Sequence, residues 1–305
     1  MGGNTVRHFI TTGRLTIFYA YAIAATLWTT TAFSHPADWV GFICLAACTY
    51  LLHIVYNKVS LIRARSWFLP SSFIVLCGAM PFLHAFDWSC VALILFLTAQ
   101  HFLLNSYQNY HPERSIYHVF LFIALASLFV PQFIFLGVAV IIAMQLYLRS
   151  LTLRAFVSIF LALITMALFS LAAAIVSGHI QDLQEHYLTL CDINFGQVLS
   201  WSTQRLVNVL FVVFLITISI IHYGKTSYND KISVRMFFYL IILETLCALF
   251  MLLGYPHAFD AMFRLTVLQA APLTARLFVL GKGRFLDFFF IVTLLAVVAL
   301  TIYNL

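Results

Sequence analysis

Long and nearly uninterrupted apolar runs constrain the fold of this chain more than any other feature of its sequence. Hydrophobic residues make up 63% of the 305 residues and charged residues only 9%, against about half and about a quarter in a soluble domain. A water-soluble fold of this length could not bury so much apolar surface, so the solvent must be lipid. The runs are continuous rather than alternating, which argues against a β-barrel. We therefore predict an all-α, polytopic helical membrane protein with a single domain over residues 1–305.

A helix needs about 17–25 predominantly apolar residues to span a bilayer, and the sequence offers about eleven such runs. They lie near 14–33, 38–56, 67–84, 88–105, 115–130, 132–148, 155–177, 204–223, 236–255, 262–280 and 285–303. The fifth and sixth runs are short and are joined by FVPQF at 129–133. The segment 115–148 is therefore either a thin hairpin that crosses the membrane or a re-entrant pair that does not cross it fully.

The distribution of basic residues predicts the orientation of these helices. Cytoplasmic connections carry an excess of Lys and Arg, and alternate connections of this chain show that bias without a break. The residues on the basic side are Arg7, Arg14, Lys58, Arg63, Arg65, Arg114, Arg149, Arg154, Lys225, Lys231, Arg235, Lys282 and Arg284. We predict a cytoplasmic N-terminus and an extracytoplasmic C-terminus. The net charge of +6 is then a topology signal that also attracts anionic lipid headgroups, and it implies no nucleic-acid partner.

A short polar motif, His-x-x-Asp, recurs on the side predicted to be extracytoplasmic. HAFD occurs at 84–87 and again at 257–260, and HPAD occurs at 35–38. In one interpretation Asp38, Asp87 and Asp260 cap the helices that follow them, because each stands just before an apolar run. In the other, the three motifs belong to a functional site.

The predicted extracytoplasmic loop at 178–203 supplies further polar residues to the same side. Its first part has an apolar stripe at helical spacing, which predicts an amphipathic helix lying on the membrane surface. His179, Asp182 and His186 fall together along the edge of that stripe. The resulting candidate site is an outward-facing polar groove lined by Asp38, His84, Asp87, His179, Asp182, His186, His257 and Asp260. Its spacing matches no known catalytic or metal signature, so we predict neither a metal nor a cofactor.

A second set of candidate residues lies inside the predicted helices. Glu244 is the deepest charge, and buried membrane carboxylates are usually paired or functional. Arg276, in the next helix, is its predicted partner, and a proton or cation relay through Glu244 is the alternative. Pro272 is expected to break its helix close to Gln269, which could expose backbone groups to a substrate. The commoner alternative is a kink whose backbone groups are satisfied by neighbouring groups.

The chain resembles an uncharacterised family of bacterial polytopic inner-membrane proteins. The resemblance is carried by FVPQFIFLGVAVIIAMQLYLRSLTLRAFVSIFLAL at 129–163 and by QAAPLTARLFVLGKGRFLDFFF at 269–290. It implies a multi-pass protein of the bacterial inner (plasma) membrane, and the family has no established activity. A vaguer likeness is to many-helix membrane glycosyltransferases that use polyprenyl-linked sugars, which place an acidic residue in the first outer loop, where Asp38 stands.

Three functional hypotheses follow from these observations. The leading one is a protein that handles a lipid-linked or amphipathic substrate in cell-envelope assembly, with membrane lipids as its surroundings. The second is a secondary transporter that uses Glu244, Gln269 and Pro272. The third is a non-catalytic membrane subunit of a larger complex, with membrane-protein partners. The sequence leaves open whether the protein is an enzyme, since it contains no phosphate-binding loop, nucleophile elbow or zinc-protease motif.

Overall fold

The computed structural model describes residues 6–33, 36–62, 66–109 and 111–304. In these residues it contains thirteen α-helices and no β-strand, which confirms the predicted all-α fold. His35 lies outside the described residues, so the first of the three polar motifs can be followed only through Asp38.

The helices match the apolar runs of the sequence closely. In chain order they are α1 (Val6–Thr12), α2 (Thr16–Ala32), α3 (Asp38–Lys58), α4 (Phe68–Gly78), α5 (Ser89–Asn105), α6 (Glu113–Ser127), α7 (Ile134–Ala143), α8 (Leu153–Ser177), α9 (Ile180–Leu188), α10 (Thr203–Thr226), α11 (Ile232–Gly254), α12 (Phe259–Leu280) and α13 (Arg284–Asn304). Each of the eleven predicted runs coincides with a helix, and α1 and α9 are additional. A π-helical turn, Met144–Leu148, extends α7.

Seven helical segments of the described chain are long and apolar enough to cross a membrane. They are Asp38–Lys58, Pro131–Leu148, Leu153–Ser177, Thr203–Asn229, Ile232–Gly254, Pro256–Leu280 and Arg284–Asn304. Two more apolar helices, α4 and α5, are shorter. These segments support a multi-pass membrane protein, while the number of eleven crossings and the orientation stay predictions.

The chain folds into two compact units, each of which is described by itself. Unit 1 comprises 1–87, 199–234 and 263–305, and unit 2 comprises 88–198 and 235–262. In unit 1, α2 packs against α3 and α4, and α1 packs against α13. In unit 2, α6 packs against α5, α7 and α8.

The turn between α12 and α13 anchors one end of unit 1. Leu277, Phe278, Leu286 and Phe290 form a buried apolar cluster around this turn. The guanidinium of Arg7, in α1, donates to the Gly281 carbonyl at 2.6 Å and pairs with the Asp287 carboxylate at 2.7 Å. These contacts fix α1 beside the start of α13.

Three helix connections share one local design based on proline. Pro81, Pro131 and Pro256 each open a 3₁₀ turn, Pro81–Leu83, Pro131–Phe133 and Pro256–Ala258. The preceding residue has a φ between −121° and −137° in all three cases, because the proline ring clashes with a helical residue before it. Proline therefore ends one helix and starts the next turn without needing an N–H donor.

Pro272, by contrast, does not break its helix. The sequence analysis expected an interruption near mid-membrane, but α12 is continuous from Phe259 to Leu280 with Pro272 inside it. The hydroxyl of Thr274 donates to the Ala270 carbonyl at 3.0 Å in the same turn. Neighbouring groups of this kind allow a membrane helix to accommodate proline, so the helix geometry does not support the predicted break.

The irregular connection 79–88 lies directly against α3 in unit 1. A Cβ atom added at Gly41, in α3, would stand 2.4 Å from the carbonyl oxygen of His84 and 3.3 Å from the backbone nitrogen of Phe86. Only a residue without a side chain allows this approach. Gly224, in α10, is exposed, and a Cβ atom added there would have no other atom within 4 Å.

Replacing these two glycines with alanine should therefore change stability in opposite directions. Gly41→Ala must displace backbone atoms and should lower the melting temperature of the detergent-solubilised protein clearly. Gly224→Ala should raise stability by up to about 1 kcal/mol, the helix-propensity difference between the two residues. Equal melting temperatures for the two variants would contradict the close contact between α3 and the connection.

Candidate functional site

The first HAFD motif is a buried structural element of unit 1. The imidazole of His84 is completely buried, and it stacks on the indole of Trp28 with ring centroids 3.8 Å apart. Its Nε2 donates to the Gly78 carbonyl at 3.0 Å, and its Nδ1 is 2.9 Å from the Thr31 hydroxyl. Burial lowers the pKa of His84 to about 4. A neutral ring with both nitrogens engaged fits a structural role and does not line an open groove.

Arg264, which the sequence analysis did not single out as a site residue, holds the same connection. Its guanidinium is 1% exposed and donates to the carbonyls of Leu83, at 3.1 Å, and Ala85, at 2.7 Å. It also lies 3.5 Å from the carboxylate of Asp87, which is half-exposed. The partly exposed carboxylate of Asp87 is thus a counter-ion for the buried guanidinium of Arg264.

The starts of α3 and α5 show where Asp38 and Asp87 stand relative to the predicted caps. The N-caps of α3 and α5 are Ala37 and Trp88, and neither side chain makes a capping hydrogen bond. Asp38 is buried and is the first residue of α3. A carboxylate in the first turn still interacts favourably with the helix dipole. The capping role of Asp38, Asp87 and Asp260 stays a prediction.

The predicted surface loop contains the expected helix, α9, but its polar residues do not converge. His179 Nδ1 lies 2.7 Å from the Asp182 carboxylate, and both side chains are largely exposed. His186 turns away and donates from Nε2 to the Ser127 carbonyl, at the end of α6, at 3.0 Å. This contact ties the loop to the helices of unit 2. His179 and Asp182 thus contact each other while His186 contacts α6, and their grouping along one edge of the helix as part of a groove stays a prediction.

The second HAFD motif belongs to the 3₁₀ turn before α12. His257 is exposed, and its Nε2 is 3.1 Å from the side-chain amide nitrogen of the buried Gln132. The amide donates in this contact, so the imidazole accepts through Nε2. Asp260 lies in the first turn of α12 and is half-buried. Gln132 is a partner that local spacing could not reveal, because it is 125 residues away in sequence.

The eight predicted groove residues are thus divided among separate local contacts. Asp38, His84 and Asp87 belong to unit 1, and the other five belong to unit 2. Within the described ranges, no group of three or more His, Cys, Asp or Glu residues is arranged to hold a metal ion. The outward-facing groove itself stays a prediction.

Glu244 is completely buried in unit 2, where the side-chain amide of Gln100 donates to its carboxylate. Gln100 is itself 1% exposed and lies in α5. A charge-assisted hydrogen bond of this kind partly offsets the cost of burying a carboxylate. In the sequence, the only sign of this contact was that Gln100 is a polar residue inside an apolar run.

Arg276 pairs in unit 1 with a carboxylate that the sequence analysis did not consider. In unit 1 its guanidinium pairs with Asp230 and donates to the Thr226 hydroxyl at 3.2 Å. It also lies 4.6 Å above the ring of Tyr223, a cation–π contact. A Glu244–Arg276 pair would join the two units and stays a prediction.

Unit 1 contains an apolar groove. It has a volume of 650 Å³ and is walled by side chains from α1, α2, α4, α10, α12 and α13. Tyr19, Ile23 and Leu294 line it and are also exposed, so it opens to the outside of unit 1 beside α2 and α13. Its large apolar lining residues include Phe9, Ile10, Phe68, Val75, Leu76, Leu215, Phe278, Phe290 and Val297. None of the eight predicted groove residues lines it.

The few polar groups of this groove are mostly satisfied by backbone carbonyls. Five Ser and Thr residues line it, and each donates from its hydroxyl to a carbonyl at 2.7–3.0 Å: Thr16, Ser71, Ser72, Thr274 and Thr293. Arg14, which is exposed, is the one charged side chain among the described lining residues. The wall therefore presents an apolar surface with a single cation. Sequence analysis used Arg14 only as an orientation signal.

Comparisons with known protein families, curated proteins and solved structures give no match to this chain. The function is therefore argued from the geometry of the described residues.

The buried state of His84 predicts a pH dependence of stability. Because the folded pKa is about 4 and the ordinary value is 6.5, the unfolded chain binds a proton in this window while the folded chain does not. Stability should therefore fall as pH decreases from 6.5 to 4. The decrease should be smaller in His84→Gln, measured by thermal unfolding in detergent over that range. Identical pH profiles for the two proteins would contradict the buried neutral imidazole.

The Gln100–Glu244 contact predicts a specific pattern of substitutions. Glu244→Leu should cost about 1–3 kcal/mol, because it removes an acceptor from the buried amide of Gln100. Glu244→Gln keeps an acceptor oxygen and should cost less. The double variant Gln100→Leu/Glu244→Leu should recover part of the loss in unfolding experiments. If Glu244→Gln were as damaging as Glu244→Leu, the ionised carboxylate itself would be required.

Proposed function

We propose that this multi-pass membrane protein binds the apolar chain of a lipid-linked or amphipathic molecule in the groove of unit 1. The observation that carries the proposal is a 650 Å³ apolar groove that opens beside α2 and α13. Its location in the bacterial inner membrane rests on the family resemblance of the sequence, and a role in cell-envelope assembly is a further part of the proposal.

The size and depth of the groove suit such a ligand. Small-molecule sites typically have volumes of about 300–1,000 Å³, and this cavity falls inside that range. Along α2 its wall extends from Thr16 to Ile23, roughly 10 Å at about 1.5 Å per residue. That length accommodates a section of an extended hydrocarbon chain.

The chemistry of the wall favours a hydrocarbon over a polar solute. A polar solute would lose its water shell on entry and would need donors in return, but the five lining Ser and Thr hydroxyls already donate to the backbone. An apolar chain that enters from the bilayer needs no such partners and has no water shell to lose. The groove therefore selects for the tail of an amphipathic molecule.

A secondary transporter is the second candidate, because one observation in unit 2 favours it. Glu244 is a fully buried carboxylate whose described partner, Gln100, is a neutral amide. A carboxylate in such a site can bind and release a proton, as intramembrane acidic residues do in proton-coupled transporters. The continuous helix through Pro272 offers no exposed backbone for a substrate, so we rank this candidate second.

The groove can be tested by filling it. Leu294 lines the groove, whereas its neighbour Leu295 does not, and both are exposed. Leu294→Trp should weaken binding of a fluorescent acyl-chain lipid by about tenfold, the equivalent of about two buried methylene groups. Binding is measured by titration of the delipidated protein in detergent, with diacylglycerol and phosphatidic acid carrying the same chain.

Leu295→Trp is the matched control, since it adds the same indole one position away. It should leave binding of both lipids unchanged. Equal affinities for the Leu294→Trp and Leu295→Trp variants would overturn the proposed function.

A further inference from the structure

We propose that the groove of unit 1 selects a lipid whose headgroup carries a phosphate, and that Arg14 binds this phosphate. The inference rests on the proposed function and names its ligand class. The juxtaposition that supports it is one exposed cation at the end of an otherwise apolar groove.

Arg14 lies where the headgroup of a lipid in the groove would be. It lines the groove two residues before α2 begins at Thr16, while Ile23 lines it further along the same helix. A chain lying along α2 from Arg14 towards Ile23 would place its polar end beside the guanidinium. The phenol of Tyr19, also exposed and also lining the groove, adds a hydroxyl donor about one helical turn away.

The neighbouring charges are already engaged with each other. Arg7 pairs with Asp287 and donates to the Gly281 carbonyl, so the nearby carboxylate is neutralised by another arginine. Arg14 remains as the guanidinium that faces the groove. Its planar set of N–H donors suits a phosphate, which can accept two of them at once.

The predicted orientation agrees with this ligand. Arg14 belongs to the set of basic residues assigned to the cytoplasmic side, where the membrane surface carries anionic lipids. A phosphate lipid of that leaflet would reach the groove sideways from the bilayer, because the groove opens beside α2 and α13. Because the charge of Arg14 is complementary to a phosphate, the groove should bind a phosphate lipid more tightly than a neutral one.

The test compares two lipids that differ only in the phosphate. Phosphatidic acid and diacylglycerol with the same fluorescent acyl chain are titrated into the delipidated full-length protein in detergent at low ionic strength. The wild type should prefer phosphatidic acid. Arg14→Gln should weaken phosphatidic acid binding by about fivefold, the usual contribution of one basic residue at an anionic membrane surface, and should leave diacylglycerol binding unchanged.

Two further variants separate charge from structure. Arg14→Lys should retain most of the preference. Arg284→Gln removes an exposed arginine from the same predicted side that does not line the groove, and it should have no effect. Raising the salt concentration to about 0.5 M should reduce the preference of the wild type and leave that of Arg14→Gln unchanged.

The outcomes distinguish this inference from the function on which it rests. If Leu294→Trp weakens both lipids while Arg14→Gln behaves like Arg284→Gln, the groove binds chains but Arg14 does not select phosphate, and this inference fails alone. If Leu294→Trp has no effect on either lipid, the proposed function fails as well. Both proposals are supported if Arg14→Gln weakens only the binding of phosphatidic acid and Leu294→Trp also weakens the binding of diacylglycerol.

Discussion

A buried backbone carbonyl has no water to bond with inside a membrane protein, so the protein itself must supply the donor. The connection 79–88 in unit 1 shows how this constraint organises the structure. His84 donates to the Gly78 carbonyl, Asn304 donates to the Ala79 carbonyl at 3.1 Å, and Arg264 donates to two further carbonyls. Arg264, in α12, and Asn304, in α13, come from distant parts of the sequence, so they tie two other helices of unit 1 to this irregular segment. His84 acts from within the segment, on the end of α4.

The same constraint explains why the repeated His and Asp residues resembled a site in the sequence. A turn between two apolar helices needs polar side chains to satisfy its backbone, and those side chains cluster at one side of the membrane whether or not they do chemistry. His84 and Asp87 serve the turn of unit 1, through Gly78 and Arg264. His257 and His186 make comparable contacts, with Gln132 and with the Ser127 carbonyl, in unit 2. Except for the contact of His84 with Gly78, these contacts are with partners that are far away in sequence.

The sequence therefore predicted the helices well and the polar contacts poorly. Apolar runs are local signals, and each predicted run coincides with a helix because the hydrogen bonds of a helix are also local. Partners such as Asp230 for Arg276 depend on how the helices pack, which periodicity alone does not determine. The groove was missed for another reason. Its wall consists of residues such as Ile23 and Leu294, which cannot be distinguished in the sequence from residues that simply face lipid.

The most direct test of the lipid-binding groove is to map where a bound lipid chain lies. Phosphatidic acid with a photoreactive diazirine near the end of one acyl chain would be bound to the purified protein, irradiated, and the cross-linked residues identified by mass spectrometry. The account predicts cross-links concentrated on the groove wall, at Ile23, Val75 and Leu294, on three different helices. Cross-links confined to the exposed face of α8, at residues such as Leu168 and Ile175, with none on the groove wall, would contradict it.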